Sequence, residues 1–471
     1  MSGNIEQKQM IINWIDANHK AFDDLALEIW KKPEIAFEEK FAARLQMDFL
    51  KSRGFNIIHK PNGPATAFMA EWGSGGPVIG LLGEYDALAG LSQTVSAVKE
   101  AREDGAPGHG CGHNLLGVGC LLAAVAAKEV LAAGNLKATV RYYGCPAEEQ
   151  LVGKSVMAKS GYFEGTDVSI AWHPADFSYV TDCTMTAMVS AKFQFTGRTA
   201  HAGASPEAGR SALDAVELMN VGANYLREHM LDQDRLHYVI TKGGLAPNIV
   251  PAEAEVWYYV RAPHDAELAL LFQRLVKVAQ GAALMTETEF QYELIGGCYN
   301  TLPNRVLNRV MEDNLLNFAG RPDFNDKDLA FAKEIQATLP EAQVRAALAR
   351  TKTTIAGNER ILASAPLPSF DSGGFVMGST DAGDVANIMP TSLYWGVTWP
   401  VGVPHHSWQA VACAGSDLGL KGTVQMAKAM AGTIFDLARN PGVIDEAKKE
   451  FAERRGGRAY QPIDELLRSQ G

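Results

Sequence analysis

Leu115 to Ala127 is an unbroken apolar run of 13 residues that stops at Lys128 and Glu129. A bilayer span needs ~20 such residues, so the run reads as a helix buried inside a folded body. No membrane partner is expected. The chain around it is 471 residues long. At ~100 to 200 residues per domain this allows two to four domains and ample room for a buried active site. Hydrophobic residues at 47% and charged residues at 21% are globular proportions, and no stretch has the composition of a disordered segment.

Lys plus Arg number 43 against 54 Asp plus Glu, a net charge of -11. A surface of that sign repels a phosphate backbone, so nucleic acid is excluded as the expected partner. The opening MSGNIEQKQM lacks the basic start and apolar core of a secretory signal, and a cytoplasmic location is expected. Cys111, Cys120, Cys145, Cys183, Cys298 and Cys413 are too few for a disulfide framework in a chain this long. Any special cysteine among them is then a ligand or a nucleophile.

Helical periodicity covers Ile5 to about Lys31 and again Glu38 to Arg53, predicting two amphipathic helices. Thr66–Trp72, Pro77–Gly83, Ala138–Tyr143 and Val168–Trp172 read as strands, with the helix from about Asn114 between the second and third. This alternation predicts an α/β domain built on a mainly parallel sheet flanked by helices. Between about Thr186 and Tyr299 the texture changes to strand, helix, strand, strand, helix, strand. That is a βαββαβ unit, an insertion the size of a small domain. The expected division is therefore residues 1–185 with 300–471, interrupted by an inserted domain over 186–299. No internal repeat or low-complexity tract is visible.

Gly108-His109-Gly110-Cys111-Gly112-His113-Asn114 sets a thiol and two imidazoles among glycines just before the apolar helix. Backbone approach is close there and side chains converge, which suits a metal. A glycine-rich turn with incidental histidines fits this stretch equally well. Cys145-Pro146-Ala147-Glu148-Glu149 follows a strand directly. Adjacent glutamates at a strand exit face different ways, so one can bind a metal while the other serves as a general base. Read alone, they are better taken as an acidic helix start, where the helix dipole favours carboxylates. Trp172-His173-Pro174 stands at the next strand exit, and Pro404-His405-His406-Ser407-Trp408 adds a late histidine pair. Cys111, His113, Glu149, His173 and one of His405 or His406 make a set suited to zinc or manganese. Five ligands exceed one closed tetrahedral site, which points to two divalent metal ions sharing a water.

The order of HGCGHN, PAEE, AWHP, TAHAG, APNIVPAEAEVWYYVRA, STDAGD and PHHSWQ resembles the aminoacylase and glutamate-carboxypeptidase family of binuclear metallopeptidases. Within that family it is most similar to the branch that holds the B subunit of p-aminobenzoyl-glutamate hydrolase and related amidohydrolases. The resemblance runs from Ile12 to about Ala438. It implies a catalytic α/β domain with an inserted lid that dimerises. By position it makes Cys111 the bridging ligand, His113, Glu149, His173 and His406 the other ligands, and Glu148 the general base. It further implies His201 as an oxyanion-stabilising residue acting on the partner subunit's site, Asn248 as its companion, and Arg261 as the clamp for a substrate carboxylate. Many family members carry His-x-Asp where this chain reads Glu84-Tyr85-Asp86. His113 then replaces the missing histidine and Asp86 orients a ligand. Related branches have aspartate where this chain has Asn114.

The resulting expectation is a metal-dependent amidohydrolase that cleaves the amide of small N-acyl or N-aroyl amino acids such as p-aminobenzoyl-glutamate. A dipeptidase and an indole-acetyl-amino-acid hydrolase are the nearest alternatives. A cysteine hydrolase built on Cys111 and His113 would leave Glu149, His173 and His406 without a purpose, and the intact Glu148 argues against a binding protein without catalysis. The resemblance also implies a homodimer through the lid, or pairing with a second related subunit.

Overall fold

The computed structural model describes residues 2–469. Three helices open the chain, because the first periodic stretch divides at His19: α1 Ser2–Asn18, α2 Lys20–Lys31 and α3 Lys40–Ser52. There follow β1 Asn56–Ile58, β2 Phe68–Gly73, β3 Val78–Glu84, α4 His113–Ala133, β4 Thr139–Cys145, α5 Gly153–Lys159, β5 Val168–Ala175 and β6 Tyr179–Val180. Next are β7 Thr184–Met185, β8 Ala187–Thr196, α6 Ala212–Leu226, β9 Arg235–Lys242, β10 Glu253–Ala262, α7 Asp265–Thr286 and β11 Glu289–Cys298. After several further helices come β12 Phe375–Val376 and β13 Thr391–Val397, and helices complete the described chain.

The chain forms two compact units. In the first, seven strands run in the order β1-β2-β4-β3-β5-β13-β6. β4, β3, β5 and β13 are mutually parallel, whereas β1, β2 and β6 are antiparallel additions at the edges. The sheet is thus mixed, with its parallel part in the centre. Parallel central strands are buried on both faces, which is why β3 reads Val-Ile-Gly-Leu-Leu-Gly with no polar alternation. The apolar run from Leu115 to Ala127 lies within α4, where Leu115, Leu121, Ala124 and Val125 are all fully buried. α4 packs on β3 on one side and on helix Asp417–Arg439 on another. Asn114 begins the same helix and donates to the carbonyls of Ala26 (3.3 Å) and Ala414 (3.0 Å). An aspartate could make neither bond, so at this position the amide serves packing.

The second unit is an antiparallel sheet in the order β11-β8-β10-β9, with α6 and α7 packed on it. Val189, Phe193, Val256, Tyr258 and Val260 from the strands meet Val216, Met219, Leu268, Phe272 and Leu275 from the helices. The period of two along β10 buries every second residue against those helices. This unit takes in more than the inserted stretch: besides Thr184–Thr301 it includes Phe375–Asp384 and the C-terminal segment from Ala459. β12 pairs with β7, and Ile463 and Leu467 are buried in the same apolar cluster as the sheet. No local pattern marks these segments, because only the tertiary packing joins them.

Candidate metal centre

β3, β4 and β5 run parallel, and Glu84 stands level with Cys145 in the β3–β4 pairing. Their C-terminal ends therefore open on one side of the sheet, where polar groups converge. Glu84-Tyr85-Asp86 leaves β3, Glu148 and Glu149 follow β4, and His173 lies near the end of β5. The chain enters α4 through Gly112 at φ 72°, where an added Cβ would meet Pro174 at 2.9 Å. Glycine there lets Cys111 and His113 bracket the helix start at close range. The loop after β13 closes the group: the His406 N–H donates to the Gly110 carbonyl at 2.9 Å, with His406 itself at φ 59°.

The side-chain geometry is compact. His406 Nε2 lies 3.1 Å from Cys111 Sγ and 3.2 Å from Glu149 Oε2. The donor atoms of Cys111, His113 and His173 lie within 4.8 Å of one another, and so do those of Cys111, Glu149 and His406. Cys111 is common to both trios. A third group at the same spacing is Glu84, His113 and Glu148. His405 takes a different course, with Nε2 3.1 Å from the Pro174 carbonyl and its ring edge-on to Trp399.

Asp86 ties two of these residues together. Its Oδ1 is 2.9 Å from His113 Nδ1, and its Oδ2 accepts the Glu149 backbone N–H at 2.9 Å. A proton on Nδ1 leaves His113 Nε2 as the free lone pair, the arrangement metal-binding histidines use. His173 is held likewise, its Nδ1 2.8 Å from the Pro174 carbonyl. Burial and the neighbouring His405 and His113 push the His173 pKa well below its usual value, which keeps its ring neutral. Burial would do the same to His113, but Asp86, Cys111 and Glu84 outweigh it and raise that pKa well above the usual value. For Glu149, burial is likewise outweighed, here by His406 and His113, and its carboxyl is lowered. Burial and the charge of Glu149 push the Cys111 thiol up.

Whether these residues suit a divalent ion can be tested on their unmet valences. His113 Nε2, Glu149 Oε1 and Glu84 Oε2 are buried atoms with no hydrogen-bond partner. Buried polar atoms are seldom left so, and each of the three belongs to a residue in a donor group spaced to hold a cation.

Two residues around the centre were not visible in the motifs. Glu39, fully buried at the start of α3, accepts from Ala147 N at 2.9 Å, Phe37 N at 2.8 Å and Thr66 Oγ1 at 3.0 Å. Ala147 has φ 56°, an uncommon conformation for a residue with a side chain, and it begins the turn that carries Glu148 and Glu149. Glu39 thus pins a strained turn across 108 positions of sequence. Lys154 is the other, fully buried on α5 with Nζ 2.6 Å from Glu84 Oε1.

Burial, assisted by the charge of Asp86, raises the Glu39 pKa from 4.5 to about 7. The folded chain then holds this proton more tightly than the unfolded one, so stability declines as pH rises from 4.5 to about 7 and levels off above. Glu39→Gln has no proton to lose. Between pH 4.5 and 8, metal-free wild type should lose up to roughly 3 kcal/mol more unfolding free energy than the variant, read by denaturant titration.

In the second unit, the structure brings His201 and Asn248 together and leaves Arg261 apart. His201 bridges Ile249, and the Asn248 carbonyl accepts the Ala202 N–H at 3.0 Å. His201 is exposed, and its Nδ1 accepts from Gly203 N (3.2 Å) and Ala204 N (3.1 Å), which leaves Nε2–H as the donor. Arg261 lies at the far end of β10, half-buried, and donates to Ser379 Oγ at 2.7 Å. Glu253, at the other end of β10, pairs with Thr196 shortly before the His201 turn, some ~26 Å away at ~3.3 Å per residue.

Comparison with known proteins places this geometry. The peptidase dimerisation domain, M20 type, matches residues 186–285. The chain is 40% identical to the B subunit of p-aminobenzoyl-glutamate hydrolase from Escherichia coli (strain K12), over 93% of both chains. It is 30% identical to Xaa-Arg dipeptidase of Mus musculus, over 93% of this chain and 90% of that one. Among solved structures, a Bacillus subtilis protein described as a dinuclear metal binding peptidase from the M20 family superposes with a TM-score of 0.57 at 15% identity, covering 90% of this chain and 99% of that one. The likeness in sequence over nearly the whole of both chains makes this chain a member of the M20 family of metal-dependent amidohydrolases, in the branch that holds the B subunit of p-aminobenzoyl-glutamate hydrolase.

Proposed function

We propose that the chain hydrolyses the amide of small N-acyl or N-aroyl amino acids, p-aminobenzoyl-glutamate among them, with two divalent ions held by Cys111, His113, Glu149, His173 and His406. The observation that carries this reading is the pair of donor trios sharing Cys111 beside Glu148. Manganese and zinc both suit a thiolate, three imidazoles and a carboxylate. When bound, such ions polarise a carbonyl and acidify a water. Glu148, on the strained turn and 4.0 Å from His113 Nε2, takes the proton of the attacking water. It then returns that proton to the departing amine nitrogen, so it begins and ends the cycle ionised. Asp86 keeps His113 and Glu149 aligned through its two oxygens. All six cysteines are buried, and a reducing cytoplasm, which keeps thiols reduced, belongs to this reading.

Substrate recognition falls to the second unit. Arg261 offers a planar fork that fits the carboxylate of an amino-acid product. Arg261→Lys should raise KM for carboxylate-bearing substrates by about 10-fold or more and leave their amide analogues nearly unchanged, because an ammonium cannot reproduce the fork. His201 Nε2–H is suited to an oxyanion. Arg261 lies ~26 Å along β10 from Glu253, the end beside the His201 turn, which supports His201 and Asn248 serving the site of a second copy. Strand β9 is an edge of its sheet, and Tyr238, Val239 and Ile240 on it, with Leu218, Val221 and Tyr225 on α6, are exposed apolar side chains. Such an edge favours pairing with a second copy. Mixing inactive His201→Ala with inactive Glu148→Gln protein under subunit exchange should then restore part of the activity. No recovery despite demonstrated exchange would exclude action across the dimer.

The deciding experiment is a hydrolysis screen of the purified, manganese-loaded chain against aroyl-, indole-acetyl- and aminoacyl-amino acids. Aroyl-glutamates should be cleaved fastest. Preference for an aminoacyl-amino acid would make the enzyme a dipeptidase instead. Inactivity of chain carrying two ions, both alone and with a related subunit, would refute hydrolysis altogether.

A further inference from the structure

Glu84 is absent from the ligand set above, yet it faces the same point. Its side chain is only 4% exposed, and its Oε2 is a buried atom without a hydrogen-bond partner. Lys154 Nζ, itself fully buried, holds the other oxygen at 2.6 Å. That ion pair fixes the carboxylate, so Oε2 has a set direction. The direction is toward His113: Oε2 stands 3.3 Å from His113 Nε2. With His113 Nδ1 engaged by Asp86, His113 Nε2 and Glu84 Oε2 face each other in a buried place, close enough for one cation to touch both.

We propose that Glu84 is a sixth ligand, bound through Oε2 to the ion that His113 holds, the ligand with which it shares a donor group. Two donor atoms each ~2.1 Å from a shared ion stand about 3.0 to 3.4 Å apart. The 3.3 Å separation falls in that range, as do the 3.1 and 3.2 Å from His406 Nε2 to Cys111 and Glu149 around the other ion. The pairing with Lys154 leaves one oxygen for the metal, so Glu84 binds through a single atom. Each ion then has the shared thiolate and one carboxylate. The added hard oxygen makes the His113 ion more accommodating to manganese than a thiolate and two imidazoles alone. This assignment rests on the two-ion reading and extends it.

The test is metal binding to the full-length protein, measured by chelator competition with manganese and with zinc. Glu84→Gln keeps the shape and the acceptor for Lys154 while removing the charge. It should bind one ion as wild type does and the other ~100-fold or more weakly, beyond the 10- to 100-fold that loss of a merely orienting residue costs. The weakened ion should lose more affinity for manganese than for zinc. Lys154→Met gives a second reading that does not need the first variant to fold. It deprives Glu84 of its buried ammonium, so manganese should raise the melting temperature of this variant by more than it raises that of wild type. Two ions bound within about 3-fold of wild-type affinity by Glu84→Gln, or an equal manganese-induced shift in Lys154→Met should the glutamine variant fail to fold, would leave Glu84 as no more than the counter-charge of Lys154. A wild type that binds a single ion would overturn the two-ion reading itself, and this assignment with it, before either variant is compared.

Discussion

Glu148→Gln should lower kcat by ~10² to 10⁴, the range for loss of a general base, with the metal content of the purified protein unchanged. The reason lies in the turn after β4. Ala147 and Leu151, both at φ 56°, flank Glu148–Gln150, and the two glutamates leave this turn in different directions. Glu149 is drawn to His406 at 3.2 Å and to the donor group around Cys111. Glu148 belongs to a different group, with Glu84 and His113. Glutamine at 148 keeps the volume and loses the ability to take a proton. Glu149→Ala should reverse the pattern, losing metal first and activity as a consequence. Metal analysis beside steady-state kinetics separates the two. A Glu148→Gln enzyme retaining more than about a tenth of wild-type kcat would mean that the proton goes elsewhere.

Cys111→Ala should strip both ions, whereas His173→Ala and His406→Ala should each strip one. Cys111 is the residue the two donor trios share, while His173 and His406 belong to one trio each. Loss of the shared thiolate takes the one soft ligand from both ions at once, leaving two imidazoles with Glu84 on one side and an imidazole with a carboxylate on the other. Affinity for both ions should fall by ~10² or more, since a removed ligand costs more than a removed partner of a ligand. Stoichiometry by elemental analysis after exhaustive dialysis would read zero, one and one for the three variants. Two ions retained by Cys111→Ala would show that the thiol does not bridge.

These expectations depend on positions of very different legibility. Strand exits are readable because a buried parallel strand is a short apolar run, and the first polar residues after it must sit at its end. Glu84-Tyr85-Asp86 after β3 and Glu148-Glu149 after β4 stand out in the chain for that reason. The glycines around Cys111 are readable too, since Gly112 occupies a conformation and a gap beside Pro174 that a side chain would obstruct. The edges of the same sheet are less so. β1 and β6 are two or three residues long and antiparallel, and nothing in so short a segment distinguishes a strand from a turn.

Residue types at strand ends, the apolar helix between them and the change of texture near Thr186 were enough to define an α/β body with an inserted βαββαβ unit and a cluster of candidate metal ligands. Those features are local, and local patterns follow from what a strand or helix must bury. The partners of the ligands are another matter. Asp86 joins His113 to Glu149, Glu39 reaches Ala147, Lys154 confronts Glu84, and the segment from Ala459 packs with the second unit. Each is a hydrogen bond, ion pair or contact between groups far apart in the chain. A charged side chain in sequence looks the same whether water or a buried partner receives it, so only the tertiary structure decides which carboxylates meet the metal site and which hold it in place.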